Sequence, residues 1–122
     1  MKNSILREKS LAFAIKIVRL VQRLQSVNRE YVLSNQLMDC GTSPGANIRE
    51  AEYAQSKKDF ISKMSIALKE SNESEYFLLL LFKTDYLNEL EHADMQTDCG
   101  EIKAMLISSI KTENSNIPAT RD

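Results

Sequence analysis

Apolar positions along this chain recur in steps of three and four residues, which is the spacing of one face of an α-helix. The first stretch with this pattern covers residues 4–27. Its seam of apolar and small residues consists of Leu6, Ser10, Phe13, Ile17, Leu20, Leu24 and Val27. The pattern predicts a first helix that packs in an antiparallel or coiled pair.

The same stretch carries a second apolar strip, formed by Leu11, Ile15 and Val18. At about 100° per residue, this strip lies beside or opposite the seam. A small four-helix bundle needs only one apolar face per helix, so the strip either widens the core face or forms a contact between subunits.

The second helical stretch starts near Arg29, resumes after an interruption and continues to Ala54. The interruption holds the strongest helix breakers of the chain, at Gly41–Gly45. Pro44 lacks the amide that would bond back to the carbonyl of Cys40. We therefore expect a kink near Gly41–Gly45 rather than a reversal of the chain, with small residues that admit a neighbouring helix.

The third helix is predicted to begin at Ser56 or Asp59 and to run to about Leu90. Residues 76–82 within it are apolar on every side, and a helix that is apolar all round is buried all round. One four-helix bundle does not bury a helix completely, so this stretch predicts a contact between subunits. The residues assigned to that contact are Leu11, Ile15, Val18, Tyr76, Phe77, Leu80 and Leu81.

A fourth helix is predicted after a polar connection over residues 92–98, with a capping-box pattern formed by Thr97 or Asp98 and Glu101. Together the four stretches predict an all-α fold, an up-down-up-down antiparallel four-helix bundle over residues 1–112. Residues 113–122 are polar, and we expect them to form a disordered tail.

Composition agrees with a single helical domain. The chain has 122 residues but only three Gly and two Pro, which favours long helices and few turns. Two cysteines do not make a disulfide scaffold, and no secretory signal precedes the first amphipathic segment. We therefore expect a cytoplasmic protein with reduced thiols and no membrane-spanning segment.

Charge is distributed unevenly although the net charge is only −1. Residues 1–29 hold seven bases and one acid, whereas residues 70–101 hold nine acids and one base. Four of the bases share one flank of the first helix, namely Lys9, Lys16, Arg19 and Arg23. This basic flank either pairs with the acids of the later helices, within or between subunits, or binds RNA, DNA or a nucleic-acid enzyme.

Polar residues near the expected kink are predicted to meet two carboxylates of the third helix. The predicted cluster consists of Gln36, Ser43, Asn47, Glu50, Glu70 and Glu73. A di-metal centre would need two Glu-x-x-His motifs and further carboxylates, and the chain has a single histidine. We therefore interpret the cluster as a structural hydrogen-bond network and expect no metal, no cofactor and no catalytic residue.

Two motifs carry a resemblance to a known family: QLMDCGTSPGANIREA at residues 36–51 and DFISKMSIALKESNESEYFL at residues 59–78. Over residues 5–112 the chain resembles the 23S ribosomal RNA intervening-sequence family. The resemblance implies an up-down four-helix bundle that assembles as a ring-shaped homopentamer, without established enzymatic activity. A related branch, the accessory protein of diversity-generating retroelements, contacts reverse transcriptase and nucleic acid through basic surfaces.

The sequence as a whole predicts a non-enzymatic oligomeric scaffold or adaptor. The leading hypothesis is a homopentamer that binds nucleic acid, or a nucleic-acid enzyme such as a reverse transcriptase, through the basic flank. The alternative is a purely structural protein–protein interaction module that uses the acidic surface of residues 85–101. Neither hypothesis involves a membrane or a small-molecule substrate.

Overall fold

The computed structural model describes the backbone of residues 2–115 and the side chains of residues 5–115. Four helices make up most of this part of the chain: α1 (Lys2–Ser26), α2 (Val32–Ala51), α3 (Lys57–Lys83) and α4 (Glu89–Ser115). Residues 2–115 contain no β-strand. The prediction of an all-α fold is confirmed.

The helices are arranged as the four corners of a bundle. The pairs in contact are α1–α2, α2–α3, α3–α4 and α1–α4, and the α1–α4 contact is the least extensive. Short connections over residues 27–31, 52–56 and 84–88 make successive helices antiparallel. Helices α1 and α3 therefore stand at diagonal corners and point in the same direction.

The core is built on the predicted seam of α1. Phe13, Ile17 and Leu24 are fully buried, together with apolar residues of the other three helices. Val27, which the pattern placed at the end of the seam, is exposed because α1 ends at Ser26. Apart from Val27, the seam is therefore one face of α1 that turns inward.

Gly41 allows α1 and α2 to approach closely. Helix α2 runs unbroken through Gly41–Gly45, so the chain does not reverse there. A Cβ atom added to Gly41 would lie only 2.7–2.8 Å from three carbon atoms of the Ile17 side chain. A residue larger than glycine would therefore push the two helices apart or distort Ile17.

Pro44 lies inside α2, where its missing amide leaves the carbonyl of Cys40 without a helical donor. Ser74 of α3 supplies the replacement: its hydroxyl lies 2.8 Å from that carbonyl and 2.9 Å from the carbonyl of Glu70 in its own helix, and it can donate to either. Both Ser74 and Pro44 are buried, so water cannot take this role easily. The carbonyl of Cys40 is thus satisfied by a hydrogen bond from the neighbouring helix.

The starts of α2 and α3 are fixed by side-chain caps. Ser56, one of the two predicted starts of the third helix, is the cap of α3, and its hydroxyl accepts from the amide of Asp59 at 3.0 Å. Helix α2 begins at Val32, later than the predicted start near Arg29. The carboxylate of Glu30 accepts from two amides of the first turn at 2.8 and 2.9 Å, which explains this start.

The predicted end of α3 near Leu90 is wrong, because the helix ends at Lys83. Asp85 follows in the left-handed conformation, with φ of 73°. The amide of Tyr86 then donates to the carbonyl of Leu81 at 2.9 Å. This closing pattern ends a helix and satisfies its last carbonyls.

Helix α4 also begins earlier than predicted, at Glu89 instead of Thr97 or Asp98. Asn88 is its cap, and the side-chain oxygen accepts from the amide of Glu91 at 2.8 Å. At the other end α4 continues to Ser115, three residues beyond the predicted boundary at 112. Of the predicted tail, residues 116–122 lie outside the described part of the chain.

Both thiols are buried in the bundle. Cys99 lies within α4, and its thiol donates to the carbonyl of Ser71 at 3.2 Å. Burial raises the pKa of Cys40 to about 11 and the pKa of Cys99 to about 12. The folded chain therefore keeps both thiols protonated at pH values well above the ordinary pKa of a cysteine thiol.

The stability of the fold is expected to fall as pH rises from 9 to 10. Unfolded thiols ionise near pH 9.0, whereas the buried ones retain their protons, so the unfolded state binds fewer protons in this window. Each thiol is expected to lower the free energy of unfolding by about 1 kcal/mol per pH unit in this window. Urea denaturation at each pH measures the free energy of unfolding.

The matched control is the double variant Cys40→Ala and Cys99→Ala. It is expected to be less stable at pH 7, because two buried side chains are shortened, but to lose less stability between pH 9 and 10. Equal pH slopes for the parent chain and the variant would show that the thiols do not cause the effect.

Candidate functional site

The second apolar strip of α1 faces outward. Leu11 and Ile15 are 47% and 49% exposed, and Val18 is half-buried. With Ala14 they line an open groove of about 340 Å³ on the outside of the bundle. We call Leu11, Ile15 and Val18 the apolar face of α1.

Helix α3 carries a second exposed apolar surface. Tyr76 and Leu79 are 59% and 42% exposed, and Leu80 beside them is half-buried. We call Tyr76, Leu79 and Leu80 the apolar face of α3. Leu79 was not among the residues predicted for a subunit contact, although its exposure qualifies it.

Two of the residues predicted for a subunit contact point into their own bundle instead. Leu81 is fully buried, and its assignment to an interface is wrong. Phe77 is half-buried against the core and packs edge-on against Tyr76, with ring centroids 5.4 Å apart. Residues 76–82 of α3 therefore have a side that faces the core and a side that faces outward. Because nearly all of these residues are apolar, the sequence does not show which residue lies on which side.

The basic flank of α1 is largely paired with acidic residues of α4 in the same chain. The pairs are Lys9 with Glu101 at 2.8 Å, Lys16 with Asp98 at 2.6 Å and Asp94 at 2.9 Å, and Arg23 with both oxygens of Glu91 at 2.5 and 2.8 Å. Hydrogen bonds to Asp98 and Asp94 raise the pKa of Lys16. Of the two interpretations of the basic flank, pairing with acids of a later helix therefore holds for three of its four bases.

A cleft of about 370 Å³ lies between α1 and α4, and two of the ion pairs, Lys16 with Asp94 and Arg23 with Glu91, form part of its lining. Ile15, Leu20 and Met95 are among the residues that line it, and charged side chains complete its lining. The cleft lies between the two helices whose contact is the least extensive in the bundle. Ion pairs thus connect α1 and α4 across this cleft.

Arg19 differs from the other three bases of the flank. It is exposed, and it makes no ion pair with any side chain of residues 5–115. It borders both the groove on the apolar face of α1 and the cleft beside α4. Arg19 is therefore the base of the flank whose charge remains free for a partner.

The predicted polar cluster does not form as one network. Asn47 donates to the carbonyl and the hydroxyl of Ser43, both at 3.0 Å and both within α2. Glu50 pairs with Lys63 of α3 at 3.1 Å. Gln36, the remaining α2 member, is exposed.

The carboxylates of α3 lie elsewhere along the bundle. Within residues 5–115, no hydrogen bond joins the side chains of Glu70 or Glu73 to those of Asn47 or Glu50. Ser74 bonds to Cys40, which places Glu70 and Glu73 about one helical turn or more away from Asn47. Burial, and then the charge of Glu73, raises the pKa of Glu70. The spacing of residues in the sequence does not show which residues of α2 lie level with which residues of α3.

Metal ligation has no support from the described side chains. Residues 5–115 hold no group of three His, Cys, Asp or Glu side chains that could bind a metal ion. The single histidine, His92, stacks on Phe82 with ring centroids 4.4 Å apart. In the described residues, no helix is long and apolar enough to cross a membrane.

Comparison with known families agrees with this architecture. Residues 2–108 match the model of the family described as 23S rRNA-intervening sequence protein. The chain belongs to this family.

A solved member of the S23 ribosomal protein family is similar to this 23S rRNA-intervening sequence protein over most of its length. It comes from Bacteroides thetaiotaomicron and is described as a protein with unknown function. The two chains are 50% identical, and the match covers 91% of this chain and 99% of the other, with a TM-score of 0.89. A comparison with curated proteins gives no match.

Membership of the 23S rRNA-intervening sequence protein family confirms the resemblance carried by residues 36–51 and 59–78. Each motif holds residues that fix how α2 packs against its neighbours. Gly41 of the first motif lies against Ile17 of α1, and Ser74 of the second motif donates to the carbonyl of Cys40 on α2.

Proposed function

We propose that this chain is a non-enzymatic homo-oligomeric scaffold, with five subunits as the family resemblance implies, that acts through protein–protein contacts. The observation that carries the proposal is the pair of exposed apolar faces on α1 and α3. Large exposed apolar patches on a soluble bundle mark surfaces that bind other proteins.

The energetic argument rests on how much apolar surface remains open. A fully buried Leu or Ile side chain contributes about 1.5–3 kcal/mol relative to an exposed one, and Leu11 and Ile15 are each about half exposed. Covering both apolar faces therefore recovers several such increments per subunit contact. In a closed ring every subunit makes the contact twice.

Replacing Ile15 with glutamate tests the proposal. The carboxylate would have to lose its water in the contact, a cost that one ion pair with Arg19 does not offset, so we expect dissociation to the monomer at micromolar concentration. Light scattering coupled to size-exclusion chromatography measures the mass. The fold should persist, because Ile15 lies on the outside of the bundle.

Leu90→Glu is the matched control, since Leu90 is 84% exposed and lies at the start of α4, away from both apolar faces. It should leave the mass unchanged. A parent chain that is already monomeric, or an Ile15→Glu variant with the mass of the parent assembly, would contradict the proposed scaffold.

A second candidate function, binding of nucleic acid, is favoured by the free charge of Arg19. An oligomer would repeat this charge, and Lys16 beside it, at regular intervals, so that weak phosphate contacts add. The same surface could instead contact a nucleic-acid enzyme such as a reverse transcriptase. The paired state of Lys9, Lys16 and Arg23 makes this the weaker of the two candidates.

Nucleic-acid binding predicts an affinity for RNA or DNA that falls steeply with salt and falls further in Arg19→Glu. Lys58→Glu makes the same change of charge at an exposed position of the first turn of α3 and should have little effect. Fluorescence anisotropy at several salt concentrations measures both. Binding that ignores salt, or equal losses in the two variants, would rule this candidate out.

A further inference from the structure

We infer that a cavity between α1 and α2 binds a phosphate group through two arginine side chains. The cavity has a volume of about 120 Å³, and exposed residues of both helices border it. We call it the arginine pocket. Its lining includes Arg7, Ser10 and Ala14 of α1 and Gly45, Ala46 and Arg49 of α2. A ligand at this place is independent of the self-association proposed above.

The middle of the arginine pocket lies where Ser10 faces Gly45. A Cβ atom added to Gly45 would lie 3.5 Å from the carbonyl oxygen of Ser10, so the two backbones stand close together there. Ala14 and Ala46 border the same cavity with single methyl groups. Space between α1 and α2 therefore remains open although the helices themselves are near each other.

The two arginines stand at the same end of the arginine pocket. Arg7 precedes Ser10 by about one turn of α1, and Arg49 follows Gly45 by about one turn of α2. Because the two helices are antiparallel, both steps lead in the same direction from the level of Ser10 and Gly45. Both guanidinium groups therefore border one end of a small cavity.

Glu52 fixes the position of Arg7 but uses only part of its hydrogen-bonding capacity. The Nη1 atom of Arg7 donates to both carboxylate oxygens of Glu52, at 3.1 and 3.2 Å. Within residues 5–115, the Nη2 and Nε atoms of Arg7 donate to no protein acceptor. These donors are therefore available to a ligand in the pocket.

Arg49 is available entirely. It is exposed, and it makes no ion pair with any side chain of residues 5–115. The described residues that line the arginine pocket carry two positive charges and no acid. Glu52, bound to Arg7, offsets one of these charges, so the site keeps a net positive charge that favours an anion.

Size and charge together select a phosphate group. The cavity is smaller than the range of about 300–1,000 Å³ in which drug-sized ligands bind, so it does not admit a whole nucleotide. A phosphate monoester carries a charge of about −1.5 to −2 at pH 7, which matches two guanidinium groups. The planar fork of an arginine donates to two phosphate oxygens at once.

The hydroxyl groups beside the cavity leave recognition to the arginines. The hydroxyl of Ser10 donates to the carbonyl of Arg7 at 3.0 Å. The hydroxyl of Thr42 donates to the carbonyl of Met38 at 2.7 Å. Because both protons are used within their own helices, the phosphate group lies at the arginine end of the pocket.

Phosphorus-31 NMR on the full chain tests this site. The line width of inorganic phosphate should increase in a saturable way when protein is present, at an ionic strength held constant with sodium chloride. Arg49→Gln should weaken the affinity at least about tenfold, because charge-assisted hydrogen bonds to the phosphate are lost.

Arg19→Gln is the matched control for the loss of one charge. Arg19 is exposed and unpaired within residues 5–115, as Arg49 is, but it lies about 18 Å from Arg7 along α1. Its replacement should leave the phosphate affinity unchanged. Since Arg19 is also the residue on which nucleic-acid binding depends, the two kinds of binding can fail separately.

Glu52→Gln is expected to raise the affinity for phosphate about threefold, because it removes a negative charge beside the bound anion. A role of Arg7 and Glu52 in packing alone would not produce a gain. The same line-width titration measures it, and an affinity equal to or below that of the parent chain would overturn the position assigned to the phosphate.

Ala46→Leu fills the arginine pocket without changing any charge. Ala46 is exposed and lies within α2, so the fold should persist, which circular dichroism checks. We expect the phosphate affinity to fall at least about tenfold, because the larger side chain occupies the cavity. Full affinity in this variant would show that diffuse surface charge, and not the pocket, attracts the anion.

Two further ligands identify the source of the phosphate group. Glycerol 3-phosphate that binds as inorganic phosphate does supports recognition of the phosphate group alone. Tighter binding of glycerol 3-phosphate supports a phosphate attached to a larger molecule whose carbon atoms contact Leu11 and Ala14. Acetate that displaces phosphate at equal concentration, line widths that do not saturate, or equal losses in Arg49→Gln and Arg19→Gln would overturn the site.

Discussion

Gly41→Ala is expected to destabilise the bundle by about 2 kcal/mol. The added Cβ would lie 2.7–2.8 Å from three atoms of Ile17, which is fully buried and cannot swing into solvent. Overpacking of this kind costs about 1–3 kcal/mol, and the higher helix propensity of alanine offsets about 1 kcal/mol. Three close contacts on a β-branched side chain place the cost at the upper end. Chemical denaturation measures the change in the free energy of unfolding.

Gly100→Ala is the matched control, because a Cβ at Gly100 would meet nothing within 4 Å. Gly100 lies inside α4, so alanine should raise stability by up to about 1 kcal/mol through helix propensity alone. The two substitutions are chemically identical and are expected to have opposite signs. A Gly41→Ala variant as stable as Gly100→Ala would show that the close approach of α1 and α2 is not a constraint.

Ser74→Ala is expected to cost about 2 kcal/mol. Its hydroxyl donates to the carbonyl of Cys40, which Pro44 has deprived of a helical amide. Removing the hydroxyl leaves a buried carbonyl without a donor, and such a group costs about 1–3 kcal/mol. The same chemical denaturation experiment measures the loss.

Ser71→Ala is the control for the loss of a buried hydroxyl. Ser71 donates to the carbonyl of Ala67, which keeps its helical donor, so we expect a cost below about 1 kcal/mol. In a Pro44→Ala background the restored amide can serve Cys40, and Ser74→Ala should then cost about 1 kcal/mol less. Additive effects of Pro44→Ala and Ser74→Ala would contradict this account of the interrupted helix.

The fold could be predicted because each helix repeats its apolar spacing over many residues. The connection between α3 and α4 could not, because apolar residues continue past Lys83 and the polar residues after His92 resemble a loop. What decides the boundary is local: Asp85 closes α3 and Asn88 caps α4. The pattern Asn88-x-x-Glu91 is the sequence signal for this helix start.

The surfaces could be predicted only in part. Helical spacing separated the apolar face of α1 from its seam, since both have regular periods. It could not divide residues 76–82 into inward and outward sides, so Leu81 was misassigned and Leu79 was missed. The polar cluster needed the register of α2 against α3, and that register depends on contacts such as Cys40 with Ser74, which sequence spacing does not contain.

The basic flank shows a different limit. The sequence allowed pairing with α4 or binding of a partner, because charge counts are the same in both cases. Three bases are paired within the chain and Arg19 is not, a distinction that depends on the geometry between α1 and α4. Exposed ion pairs of this type contribute little to stability, so their main effect is to reduce the charge offered to a partner.

The mass of the unmodified chain in solution tests the central claim most directly. Sedimentation equilibrium over a range of micromolar concentrations should give an assembly of five chains of 13.9 kDa each. Two exposed apolar faces on different sides of one subunit predict self-association, and the number of five chains is what the family resemblance implies. A single species of 13.9 kDa at every concentration would contradict it.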